Sequence, residues 1–131
     1  MDGVWKLAMK LAGAISESLG LDGGYIEGAF GEGSQIVACN YYPECPQPDL
    51  TLGLSSHTDR GGLTIVMENG VEGLQVRHKG KWVPVPHVPG SFLVNIGDCI
   101  EVTFGCQFAI SFFFLGSDFL FIIFFISASE Y

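Results

Sequence analysis

Basic residues are scarce in this chain and they run out early. The 131 residues hold six lysines and arginines against fourteen acids, for a net charge of −8, and none of the six lies beyond Lys81. Lys6, Lys10, Arg60, Arg77, Lys79 and Lys81 form no patch, and an acidic surface repels phosphate backbones, so nucleic acid is excluded as a partner. Histidine is equally sparse: His57, His78 and His87, and none after. The cysteines, Cys39, Cys45, Cys99 and Cys106, lack the CxxC spacing of structural zinc sites, and no secretory leader is read ahead of them. Reduced thiols in a cytoplasmic protein are the expectation. No internal repeat and no disordered linker interrupts the chain, whose length leaves room for one modest core.

What is there divides into three stretches. In residues 1–33, Val4, Leu7, Leu11, Ile15 and Leu19 recur at three- and four-residue intervals, which predicts a helix with one apolar stripe packed on whatever follows. Gly20 ends it, Asp22-Gly23-Gly24 is a turn, and residues 25–30 suit another short helical turn. From residue 34 the period shortens. Strands are predicted at 35–42, 52–57, 63–67, 74–78, 81–85, 92–96 and 100–102, with turns at Gly61-Gly62, Glu68-Asn69-Gly70, Lys79-Gly80 and Pro89-Gly90. Strands this short and this closely spaced imply a sandwich or barrel.

The chemistry centres on His57-Thr58-Asp59. Residues two apart on an extended strand point to one face, so an imidazole and a carboxylate there can grip one metal ion together. Non-haem iron is commonly held by two histidines and one carboxylate, with the remaining positions open. Alone the pair is a weak signal, because an ordinary hydrogen-bonded His and Asp at a strand end looks the same. Its surroundings are more specific. Asn40-Tyr41-Tyr42-Pro43, Cys45-Pro46-Gln47-Pro48, Leu52-Gly53-Leu54, His57-Thr58-Asp59, Gly73-Leu74-Gln75-Val76, Gly80-Lys81-Trp82, Val88-Pro89-Gly90 and Asn95-Ile96-Gly97-Asp98 follow one another at tight spacing.

That ordered set resembles the plant soluble 2-oxoglutarate- and Fe(II)-dependent dioxygenases, which include flavonoid hydroxylases, gibberellin oxidases and the related ethylene-forming oxidase. The resemblance runs from about Val4 to Val102. It implies a fold that is mainly β with an N-terminal helix, a partial double-stranded β-helix (jelly roll) over 34–102 with its C-terminal part missing. It also implies Fe(II) held by His57 and Asp59, and 2-oxoglutarate met by Asn40 and Tyr42, with ascorbate as the family's reductant and a small organic molecule as substrate. The implied reaction is oxidative decarboxylation of 2-oxoglutarate coupled to hydroxylation or desaturation. Tyr42 has a plainer reading as an aromatic that covers the core, and Asp98 reads as a turn former.

Two departures bear on activity. The family's second ligand histidine would fall near Phe113, and its Arg-x-Ser anchor for 2-oxoglutarate further on; neither is present. Arg60 stands where many relatives have proline, on the opposite face from its neighbour Asp59. His78 and His87 sit at turns and replace nothing. No catalytic residue is therefore assigned, and a truncated, inactive form of the family is expected, with a non-catalytic fragment or a tail-anchored binding protein as the alternative.

Residues 103–131 read as an apolar tail outside the family pattern. Phe108 to Ile126 is almost long enough to cross a bilayer, but Asp118 near its middle costs about 3 kcal/mol and no Lys or Arg flanks it. Translated non-coding sequence is the favoured reading. Replacement core strands are a further one, set back by the lack of clean in-and-out alternation. On the favoured reading, deleting 103–131 improves solubility.

Overall fold

The computed structural model describes residues 2–103, 112–114 and 119–127. It opens with helix α1 (Asp2–Ser18), followed by α2 (Tyr25–Phe30). Along α1 the residues wholly removed from solvent are Ala8, Ala12 and Ser16, one turn apart on one line. Val4, Leu7, Leu11 and Ile15, the stripe legible in the sequence, flank that line half-buried. The reason is steric: small side chains let the helix backbone approach Ile26 and Phe30 of α2 and the sheet beneath, while the larger residues close the sides. Ser16 ties the helices together, donating to the Ala12 carbonyl at 2.9 Å and accepting from the Ile26 amide at 3.2 Å.

Strands β1 (Ser34–Tyr42), β2 (Leu54–His57), β3 (Leu63–Glu68), β4 (Leu74–His78), β5 (Lys81–Pro84) and β6 (Leu93–Ile96) fall where the short period predicts them. Residues 100–102 do not. They belong to α3 (Asp98–Thr103), because the amides of Ile100 and Glu101 both turn back onto the Gly97 carbonyl at 3.1 Å. Strands β7 (Phe112–Phe114) and β8 (Phe119–Ser127) follow. All pairing is antiparallel, in two sheets ordered β1-β8-β3-β6 and β2-β7-β4-β5.

The apolar tail thus enters both sheets. β8 lies between β1 and β3, matching Ser34 to Tyr42 on one side and Leu63 to Glu68 on the other, and β7 lies between β2 and β4. Absence of alternation does not bar an inner strand, because a strand of a sheet covered on both faces is apolar at consecutive positions. Strand β3 displays the rule, since Leu63, Thr64, Ile65 and Val66 are all buried. Leu63 and Ile65 turn to Ala8, Ala12, Ile26, Phe30 and Ile100 on the helical side, whereas Val66 meets Leu74 of the second sheet. Helices, first sheet and second sheet form three layers. Among the described residues no helix is long and apolar enough to cross a membrane.

Candidate functional site

Asp59 lies just beyond β2, in the loop that crosses from the second sheet to β3 in the first. Its burial has an identifiable cause. The loop 59–62 is laced to the segment after β6: the Asp98 amide donates to the Asp59 carbonyl at 2.7 Å, the Gly97 amide to the Gly62 carbonyl at 2.8 Å and the Cys99 amide to the Gly61 carbonyl at 3.3 Å. The Thr58 hydroxyl donates to Asp98 Oδ2 at 2.9 Å. Asp98 therefore anchors the loop that carries Asp59, a role larger than the turn former read from its sequence.

The carboxylate of Asp59 is 7% exposed and the His57 imidazole 35%. His57 Nε2 stands 3.6 Å from Asp59 Oδ1, and Asn95 Nδ2 donates to Asp59 Oδ2 at 3.4 Å. His57 Nδ1 is 2.8 Å from the Ser55 carbonyl, which can only accept, so Nδ1 donates there and Nε2 is the nitrogen turned toward the acid. A ring oriented through one nitrogen, a lone pair offered from the other and a carboxylate fixed by an amide make a donor pair suited to a divalent cation. Asn95 and Ser55 were not singled out in the sequence. Asn95 stands within a quoted motif, but its partner is 36 residues away in the chain and visible only in three dimensions.

Two ligands do not make a facial triad. Among the described residues no group of three metal-ligating side chains converges. The register shows why: Phe112 of β7 is the Cα partner of His57, with Phe114 opposite Leu54. Strand β7 runs beside β2, and phenylalanine occupies it at 112, 113 and 114. The residues present fit a cation as two ligands and do not fit the full iron centre.

Asn40 and Tyr42 sit on β1, in the other sheet from β2, two apart and both half-buried, hence on one face. Tyr42 packs against the cluster around Val66 and Leu74, and burial pushes its phenol up, keeping it a neutral donor. It also walls a groove of about 500 Å3 with Pro43, Cys45, Pro46 and Leu52, to which His57 and Asp59 contribute nothing. The structure brings His57 and Asp59 together and leaves Asn40 and Tyr42 on a separate element. His78 ends β4 exposed, and His87 pairs with Glu68.

The sequence profile of the 2OG-Fe(II) oxygenase superfamily matches residues 33–110. The chain is 50% identical over 98 residues to oxoglutarate-dependent flavonoid 7-O-demethylase 1 of Ocimum basilicum, across 74% of this chain and 26% of that protein. It is 52% identical over 99 residues to flavanone 3-dioxygenase 2 of Oryza sativa subsp. japonica, across 75% and 29%. The crystal structure of JOX2 with 2OG, Fe and JA superposes with a TM-score of 0.94 at 33% identity, covering 98% of this chain and 40% of that one. The dioxygenase for auxin oxidation 1 of Arabidopsis thaliana, bound to 2-oxoglutarate, gives 0.86 at 25% identity, covering 97% and 49%. The chain thus spans just over a quarter of the curated relatives it matches and under half of the solved structures.

Proposed function

The chain belongs to the 2OG-Fe(II) oxygenase superfamily, and we propose that within it this polypeptide is a catalytically silent member that keeps a two-ligand site for a divalent cation at His57 and Asp59. The observation that carries the reading is the His57 ring, held through Nδ1 so that Nε2 faces the buried Asp59 carboxylate at 3.6 Å. In an intact member, the iron and 2-oxoglutarate supply oxidative decarboxylation coupled to attack on a C–H bond of a small organic substrate. Here the pair holds a cation and Asn95 orients its acid, but Phe112 stands opposite His57 and the tail has no arginine to bind a dianionic co-substrate. No step of that reaction is assigned to these residues. Asn40 and Tyr42 are proposed as what remains of the 2-oxoglutarate side of the pocket, Tyr42 through its neutral phenol. A cytoplasmic setting and a small-molecule ligand accord with the acidic, patch-free charge distribution.

The test is calorimetry of Co(II) binding to the full chain, with Co(II) standing in for Fe(II). Weak, saturable binding is expected, lost in His57→Ala and Asp59→Ala, reduced about tenfold in Asn95→Ala and unchanged in His78→Ala. With Fe(II), ascorbate and 2-oxoglutarate, succinate formation should not exceed that of the His57→Ala, Asp59→Ala double variant. Equal Co(II) binding by His57→Ala and the parent, or iron-dependent succinate well above the double variant, overturns the proposal.

A further inference from the structure

Glu68 ends β3 opposite to the end that approaches the metal pair, five residues from Leu63 and so about 17 Å along the strand. Its carboxylate is an anomaly in a protein whose other acids mostly face water. The side chain is 8% exposed, its Oε2 stands 3.5 Å from His87 Nδ1, and its Oε1 is buried with no hydrogen-bond partner among the described residues. Glu68 and His87 both line a cavity of about 250 Å3, whose other walls include Val66, Val85, Pro86, Phe92 and Leu93. A buried carboxylate oxygen without a donor is destabilising by an amount that a single charge-assisted hydrogen bond offsets.

We propose that this cavity is a binding site for a small primary ammonium ion, its N–H donating to Glu68 Oε1 and its alkyl chain lying against Val66, Val85, Phe92 and Leu93. Five observations select that class. The unmet group is an acceptor, which calls for a donor and excludes quaternary ammonium and carboxylate ligands. The neighbouring Glu72 adds to the negative field at Glu68, and no lysine or arginine lines the walls. Ser91, the hydroxyl in the lining, already donates to the Val88 carbonyl at 2.7 Å, so it neither competes for the ligand nor acts as a nucleophile beside His87. The cavity, about 250 Å3, has room for an amine of a few carbons. Burial pushes the Glu68 carboxyl up, with His87 opposing, which marks a site where an added positive charge is favoured. The site is independent of the metal pair and survives the failure of that reading.

The experiment is a titration of the full chain with butylammonium chloride, followed by amide NMR shifts, with sodium butyrate and butanol as matched probes. Saturable shifts are expected at Glu68, His87 and Phe92 with a millimolar Kd, weakened about tenfold or more in Glu68→Gln. Filling the cavity with Val85→Phe should abolish them while leaving Glu68 in place. Glu68→Gln keeps side-chain size, and a parent-like amide spectrum shows that it folds. If its fold is lost, the comparison of butylammonium with butyrate and butanol on the parent decides alone. Absence of saturable shifts up to about 100 mM, equal shifts in a folded Glu68→Gln, or the same shifts with butanol or butyrate overturns the proposal.

Discussion

Gly97 admits no side chain. A Cβ there would lie 2.1 Å from the Gly61 carbonyl oxygen and 2.9 Å from that of Asp59, and both are backbone atoms that cannot swing aside. Gly97→Ala must push the 59–62 loop off the segment after β6, breaking the amide contacts that bury Asp59. A loss of about 2 kcal/mol or more is expected, with Tm several degrees lower by differential scanning fluorimetry and Co(II) binding weakened in parallel. An unchanged Tm would mean the close approach relaxes freely. Glu68 makes a different prediction. Its folded-state carboxyl lies above the usual range because burial penalises the anion, so it favours folding while protonated in both states and disfavours it once ionised. Urea midpoints should fall as pH rises from the ordinary carboxyl range through the raised value, and Glu68→Gln should flatten that part of the profile. A parent and variant with superimposable profiles would remove Glu68 as the cause.

Among the elements, β7 carries the main consequence. Directly opposed residues of an antiparallel pair have Cβ atoms roughly 5 Å apart on the same face, which places position 112 beside His57. Phe112→His should therefore supply a third ligand and tighten Co(II) binding by tenfold or more, with the intensified visible absorption of a lower-coordinate or distorted site. The same change at Phe113, which is not the Cα partner of His57, should do much less. Equal gains at both positions would refute the register. The elements legible from sequence were those with a clear period: α1 by its three- and four-residue recurrence, β1 to β6 by short runs between turns. Residues 100–102 escaped because Ile100-Glu101-Val102 alternates like a strand, while the hydrogen bonds from Ile100 and Glu101 to Gly97 decide for a helix. His57 and Asp59 were legible because they are two apart in sequence. Asn95, Thr58 and Asp98 stand within motifs, but the bonds by which they hold the pair act across 36 to 40 residues and are not legible locally.

At the scale of the whole molecule, β8 is what joins β1 to the rest of its sheet. Deleting residues 119–127 opens the inner edges of both β1 and β3, leaving two rows of unpaired backbone groups beside Ile36, Val37 and Met67, which are already exposed. The solubility gain expected from sequence alone is thereby reversed: the deleted chain should elute as aggregates in size-exclusion chromatography and lose its cooperative urea transition. A soluble, cooperatively unfolding deletion variant would show that the first sheet holds without its inner strand.

The place of β8 also fixes an order of events. Ser34 finds its partner only at Ser127, so β8 must enter between two strands that precede it in the chain. Strands β3 and β6 can pair without it, but β1 stays apart from them until β8 is in place. Closure of the first sheet is then slowed by the long loops that must be drawn together, and β1 and β3 keep open edges, exposed to wrong partners, until β8 arrives.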